Sequence, residues 1–210
     1  MATDVSHATI RLSLKETKET KKYYPLGFKL LVDYLLTNNE VIIDYKVIAD
    51  PKNQSDMPFS IGNHITFNAP FNKANTLNDF DFTIDSKYKL ERNERRLING
   101  NLVPSNLNGI HSITELPERK SISYTSLSES SMVTMYDTDG IQVSMSHHAI
   151  SYPAKAFADF NLWASAEHGY FSPEPWVGAQ NSLNSGYGLL RLTQGNAWNC
   201  QVKIQIKKLK

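Results

Sequence analysis

A chain of 210 residues with 22 Lys and Arg against 21 Asp and Glu carries a net charge of +1 at pH 7. That balance excludes the basic footprint of a nucleic-acid binder and the cationic face of a membrane-surface protein. With 40% hydrophobic and 20% charged residues the composition is that of a globular chain, and residues 1–210 fit one domain with a sizeable core.

The opening MATDVSHATIRLSL lacks the apolar stretch of a signal peptide, and no apolar run approaches the roughly 20 residues of a membrane helix. A cytoplasmic location is therefore the expectation. Within HATIRLSL, Ala8, Ile10, Leu12 and Leu14 alternate with polar partners, the period of a strand. KETKETKK, residues 15–22, reads as a solvated charged bend. LGFKLLVDYLL then sets Leu26, Phe28, Leu30, Val32 and Tyr34 on one face, Asn38-Asn39 signals a turn, and VIIDYKVI runs back as a long hairpin.

Residues 57–71, MPFSIGNHITFNAPF, place His64 directly after Gly62-Asn63. Residues 72–117 are rich in Asn, Asp and Leu and read as long loops with short strands, the kind of excursion that shapes a binding site. SMVTMY, DTDG and IQVSMS form a second hairpin, for which Asp139-Gly140 is the strongest cue. His147-His148 fall near its end as a solvated or hydrogen-bonded pair. YGLLRL, the turn TQGN and AWNCQVKIQI read as a third hairpin, whose last strand buries Trp198, Cys200, Val202, Ile204 and Ile206. The single cysteine, Cys200, is then a small apolar core residue, and no Cys/His spacing suggests a metal site. So many strands between turn signals predict an all-β antiparallel sandwich or barrel.

FSPEPWVGAQNS, residues 171–182, departs from this pattern. Pro173 and Pro175 each fix their own φ and push Ser172 and Glu174 towards extended backbone, a stiff setting for a carboxylate. Glu174 and His64 together offer the usual partners for general acid–base chemistry near neutral pH, although 110 positions separate them and spacing alone does not bring them together. The plainer alternatives are a structural histidine and a loop glutamate. Trp176 reads either as core or as a platform for a sugar ring. In ERNERR, Arg92, Arg95 and Arg96 offer phosphate ligands, but the interleaved glutamates favour a solvated turn. Neither a Gly-rich phosphate cradle nor a G-x-S-x-G elbow is present.

Three stretches in order carry a family likeness: YYPLGFKLLVDYLLTNNEVIIDYKVIAD, then MPFSIGNHITFNAPF, then FSPEPWVGAQNSLNSGYGLLRLTQGNAWNCQVKIQI. Together they resemble the aldose 1-epimerase (galactose mutarotase) family, in particular its epimerase-like and hexose-phosphate mutarotase branch. The resemblance implies a galactose mutarotase-like supersandwich, an all-β antiparallel β-sandwich. It implies an isomerase that interconverts the α and β anomers of a hexose or hexose phosphate, with neither cofactor nor metal. By the same likeness Glu174 is the base on the anomeric hydroxyl, His64 the acid at the ring oxygen, and Asn63 and Trp176 contact the sugar. A non-catalytic sugar-binding β-sandwich is the alternative. The family's N-terminal strands, with an arginine and a further histidine, find no match before Tyr24, and its sugar-binding aspartate has no recognisable equivalent. A shortened sandwich would leave a sheet edge for a partner or second copy to cover.

Overall fold

The computed structural model describes residues 7–107, 109–127, 132–153 and 155–209. Among them, two large antiparallel sheets face each other. The first has eight strands in the order Ala8–Lys15, Phe28–Leu36, Glu40–Ala49, Ala197–Lys208, Ile141–Ala149, Met132–Asp137, Phe80–Ile84 and His111–Ser112. The second has seven, running Ile61–Gly62, Tyr170–Val177, Phe157–Ser165, Ile122–Thr125, Tyr88–Arg92 and Ile98–Pro104, with Phe67–Asn68 also paired to Tyr170–Val177. The expected antiparallel sandwich is thus the observed fold. No helix among the described residues is long and apolar enough to cross a membrane.

Alternation decides which side chains fill the gap between the sheets. Phe80, Phe82 and Ile84, with Met135 and Met145, from one sheet share a cluster with Tyr124, Phe160, Leu162 and Phe171 from the other. Phe82 and Phe171 pack with ring centroids 4.9 Å apart. A second cluster gathers Val47, Ala49, Met57, Phe59, Val177, Trp198 and Cys200, and burial pushes the Cys200 thiol pKa upwards.

The first two hairpins form as the turn residues predict, Phe28–Leu36 with Glu40–Ala49 and Met132–Asp137 with Ile141–Ala149. Gly140 carries the positive φ of 79° that the second turn requires. The third predicted hairpin does not form. Leu190–Leu192 pairs with Met57–Phe59, while Ala197–Lys208 lies between Glu40–Ala49 and Ile141–Ala149 and spends both its edges on them. Ile206, expected inside, is half-exposed at the end of that strand. Residues 72–117 are more regular than expected, since Phe80–Ile84 is a core strand and Tyr88–Arg92 pairs with Ile98–Pro104. The outermost strand, Ala8–Lys15, pairs along its whole length, yet Ile10, Leu12 and Leu14 remain more than half exposed. Backbone pairing along one edge does not by itself bury the side chains of an outermost strand.

Candidate functional site

Strand Tyr170–Val177 carries Glu174 and tolerates two prolines because of what lies beside it. On one side it pairs continuously with Phe157–Ser165, Glu174 standing opposite Asn161. On the other side its partner is interrupted: Phe67 pairs with Phe171 and Gly62 with Trp176, and residues 63–66 bulge away between them. Pro175 turns its carbonyl to that interrupted side, where it accepts from the Asn63 backbone N–H at 3.1 Å. Pro173 has the same orientation, so the missing N–H groups of both prolines face the gap and the ladder loses nothing. The bulge that leaves room for the prolines is the loop that carries His64.

His64 and Glu174 thereby meet, with His64 Nε2 3.3 Å from Glu174 Oε1. Their settings differ sharply. The Glu174 side chain is 3% exposed and that of His64 68%. Glu174 Oε2 accepts from Asn161 Nδ2 at 2.9 Å and from Trp176 Nε1 at 3.1 Å. Oε1 has no well-aligned hydrogen bond among the described residues, its contact with His64 being one of proximity. The carboxylate is thus clamped through one oxygen, Oε2.

The tautomer of His64 follows from its other nitrogen. The Ser172 hydroxyl donates to the Ile65 carbonyl at 2.8 Å and accepts from Thr66 Oγ1 at 3.2 Å. Its remaining lone pair lies 3.3 Å from His64 Nδ1, which must therefore be the protonated nitrogen. Nε2, the other ring nitrogen, faces Glu174.

Trp176 stacks over Gly62, where a Cβ would come within 2.7 Å of the indole. It lines the same cavity as His64 and Glu174, a space of about 200 Å³. Asn63 does not line it: buried and turned away, its amide donates to the Tyr45 hydroxyl at 2.6 Å and pins the loop. The remaining wall comes from residues the sequence reading did not single out. Asn161 Oδ1 accepts from Ser121 and, at 3.1 Å, from Ser123, which fixes its amide group towards Glu174. Arg92, taken from sequence for a solvated charge, is half-buried behind this wall and donates to Ser123 at 2.9 Å and to Gln180. Asp159 completes the floor. Burial and the nearby Glu174 charge push its carboxyl pKa up to about 7, against the opposing pull of Ser123 and Arg92. The signal that could have flagged this set is in FADFNLWAS, where Asp159 and Asn161 interrupt an otherwise apolar strand on one face.

A larger cavity of about 590 Å³ lies among Tyr24, Phe28, Leu30, Met57, Phe59 and Ile61. It brings no acid–base pair together, whereas the smaller one holds His64 and Glu174. His147 also lies elsewhere, buried against Phe157 with ring centroids 3.9 Å apart and neither nitrogen hydrogen-bonded among the described residues. This corrects the expectation of a solvated or satisfied pair, which only the exposed His148 fits. Among the described residues, one group could gather ligands around a cation: Glu118, Glu167 and His168, all exposed and none of them in the cavity lining.

An antiparallel sandwich with an imidazole and a clamped carboxylate in one cavity defines a class of acid–base site on a β scaffold. Residues 2–155 match the family Aldose 1-epimerase, and the chain belongs to that family. The match includes His64 and ends before Glu174. No curated protein sequence matches the chain. Among solved structures, a galactose mutarotase-like protein from Clostridium acetobutylicum superposes with a TM-score of 0.81 at 19% identity, over 98% of this chain and 64% of that one. The Slr1438 protein from Synechocystis sp. PCC 6803 gives 0.76 at 20% identity, over 98% and 63%. Galactose 1-epimerase from Lactobacillus acidophilus gives 0.71 at 14% identity, over 99% and 65%. The chain therefore spans less than two thirds of the length of these structures.

Proposed function

We propose that the protein is a carbohydrate mutarotase that interconverts the α and β anomers of a hexose or hexose phosphate. The observation that carries this reading is the approach of His64 Nε2 to Glu174 Oε1, 3.3 Å apart on one cavity. Glu174 Oε1, as carboxylate, takes the proton from the anomeric hydroxyl while His64, as imidazolium, gives its Nε2 proton to the ring oxygen and is left as the neutral Nδ1–H ring. The C1–O5 bond breaks to the open-chain aldehyde, C1 turns about the C1–C2 bond, and the ring closes on the other face as both protons return. Nothing is consumed, and each group ends in the protonation state in which it began.

The physical division of labour fits this chemistry. The base is held by Asn161 and Trp176, whereas the exposed imidazole has room to move aside as a ring enters between the two. A cavity of about 200 Å³ is smaller than a drug-sized pocket and suits one sugar ring. Trp176 offers an indole wall to that ring, and Asn63 supports it indirectly by holding the His64 loop.

Polarimetry on freshly dissolved α-D-glucose and α-D-galactose, with NMR on glucose 6-phosphate, tests the proposal. The wild type is expected to speed anomeric equilibration, and Glu174→Gln and His64→Asn to abolish most of that acceleration. Sugar binding without acceleration by a folded wild type would instead support a non-catalytic sugar-binding sandwich.

A further inference from the structure

Among the described residues, the outermost strands of the two large sheets differ in how well they resist pairing with another chain. His111–Ser112 and Ile61–Gly62 are two residues each, too short to offer a ladder. Ile98–Pro104 is interrupted by Gly100 at a φ of 87°, by a register shift against Leu90 and Arg92, and by its closing proline. Ala8–Lys15 has none of these protections. It runs for eight residues without glycine, proline or bulge, each in register with the strand beside it. Its one central charge, Arg11, is engaged by Asp33 of that strand through bonds of 2.6 and 2.7 Å. On the core-facing side Ile10, Leu12 and Leu14 stand opposite Tyr34, Val32 and Leu30, and Leu36 extends the row beside Ala8. Tyr34 and Val32 pack on the core, whereas Ile10, Leu12, Leu14 and Leu36 are between 52 and 61% exposed. A contiguous apolar row along an unprotected edge marks an interaction surface, unlike leucines scattered singly.

We propose that this edge is a two-fold interface between copies of this chain, in which Ala8–Lys15 pairs antiparallel with its counterpart about Leu12. Symmetry and charge select that occupant and that register. A two-fold axis between antiparallel strands keeps the core-facing sides of both copies on one side of the joined sheet. Apolar positions then meet apolar positions, and the pairing must be centred on a residue. Centring on Arg11 sets Arg11 against itself, and centring on Ser13 sets Arg11 against Lys15; like charges directly opposed are destabilising. Centring on Ile10 leaves Leu14 opposite no apolar residue, and registers nearer the strand ends pair fewer residues. Centring on Leu12 opposes Leu12 to its own counterpart, Ile10 to Leu14, Arg11 to Ser13 and Thr9 to Lys15. Every exposed apolar side chain of the strand then meets another, and no charge meets its like. The eight-stranded sheet of one copy continues into that of the next through backbone groups and one apolar row, the mode by which an open edge recruits a strand. Eight residues a side fall short of the roughly 20–30 of a standard interface, so the dimer is weak, with a dissociation constant on the order of micromolar.

Sedimentation velocity on the full chain over a dilution series tests the pairing. Wild type is expected to pass from dimer to monomer on dilution. Leu12→Lys sets two ammonium groups against each other on the axis and is expected to raise the dissociation constant about tenfold or more, as is Leu12→Glu with two carboxylates. Mixing the two variants should restore the dimer, because position 12 faces itself and the opposed charges then differ in sign. Leu12→Cys should cross-link two copies under mild oxidation, since Cβ atoms of directly opposed residues stand about 4.5–5.5 Å apart. The only other thiol, that of Cys200, is buried and does not compete. A wild type that stays monomeric at every concentration overturns the proposal. So does a dimer indifferent to Leu12→Lys, whose interface must lie elsewhere, and so does an open-ended series of oligomers, which a closed two-fold pairing forbids. Failure of the mixed variants to associate, with each shown to be folded by circular dichroism, overturns the register centred on Leu12.

Discussion

Strand Phe157–Ser165 buries polar atoms near both of its faces, and the two settings differ in kind. On one face Asp159 and Asn161 join Glu174, Trp176 and two serines around a cavity, where one carboxylate is held through two hydrogen bonds. Towards the other, His147 lies between Phe157 and Phe160, with ring centroids 3.9 and 4.8 Å away. There burial lowers the imidazole pKa to about 3, so the ring stays neutral. Both regions leave polar atoms unpaired. Only the first surrounds them with convergent donors and acceptors next to space that a ligand can enter. An unsatisfied buried atom points to function through its neighbours and its access, and His147 has neither.

The largest effect that would break this contrast lies at Glu174. Glu174→Gln keeps the clamp to Asn161 and Trp176 but removes the base, and kcat/KM for anomeric exchange is expected to fall about 10²- to 10⁴-fold. A loss below tenfold would mean that the cavity is not the reacting centre. His64→Asn should fall towards the lower end of the same range, because an exposed position admits water as a substitute proton donor.

Asp159 gives the next effect, on stability. Its folded-state pKa, near 7, exceeds the ordinary aspartate value of about 3.9, so the native protein retains a proton that the unfolded chain releases. Native stability is consequently lost as pH rises between those values, and the loss is complete above them. Asp159→Asn abolishes this dependence, and its gain in unfolding free energy over wild type, followed by thermal and denaturant melts, should grow from pH 4 to pH 8 towards a few kcal/mol. A gain that is flat with pH would show that Asp159 ionises freely.

His147 has the opposite sign. Its folded pKa is depressed below the ordinary histidine value of about 6.5, so stability is lost as pH falls from there towards about 3. His147→Phe preserves the stacking, removes two unpaired nitrogens, and should raise stability by about 1 kcal/mol at neutral pH and by more in acid. Activity should not change, which separates this region from the cavity. The smallest effect is at Trp176, where Trp176→Phe keeps an aromatic wall over Gly62 but loses the indole donor to Glu174. A several-fold decrease in kcat is expected, with little change in thermal stability.

Much of the sandwich was legible because alternation and turn chemistry are local. The hairpin through Asp139-Gly140 declares itself by a glycine at positive φ, and Val202 and Ile204 by their spacing. FDFTI was missed as a core strand because five alternating residues are a weak signal within an Asn- and Asp-rich stretch. The third hairpin failed for a different reason. Adjacent strands pair by default, but Ala197–Lys208 finds longer partners on both sides in strands distant along the chain. At the site, His64 and Glu174 stand out through their neighbours in sequence, glycine and asparagine before the one and prolines about the other. Asn161, Asp159 and Arg92 carry no such mark, since each becomes a site residue only through what faces it.

Most of the strands, the stiffness around Glu174 and the membership of a β-rich family were fixed by consecutive residues alone, because periodicity, proline geometry and short motifs are local properties. The tertiary structure decided the rest. It set a break in one strand, residues 63–66, beside the prolines of another, and so brought together two groups 110 positions apart. It also raised the pKa of the Asp159 carboxyl, since desolvation and the charges of Glu174 and Arg92 act through space and leave no trace in the order of residues.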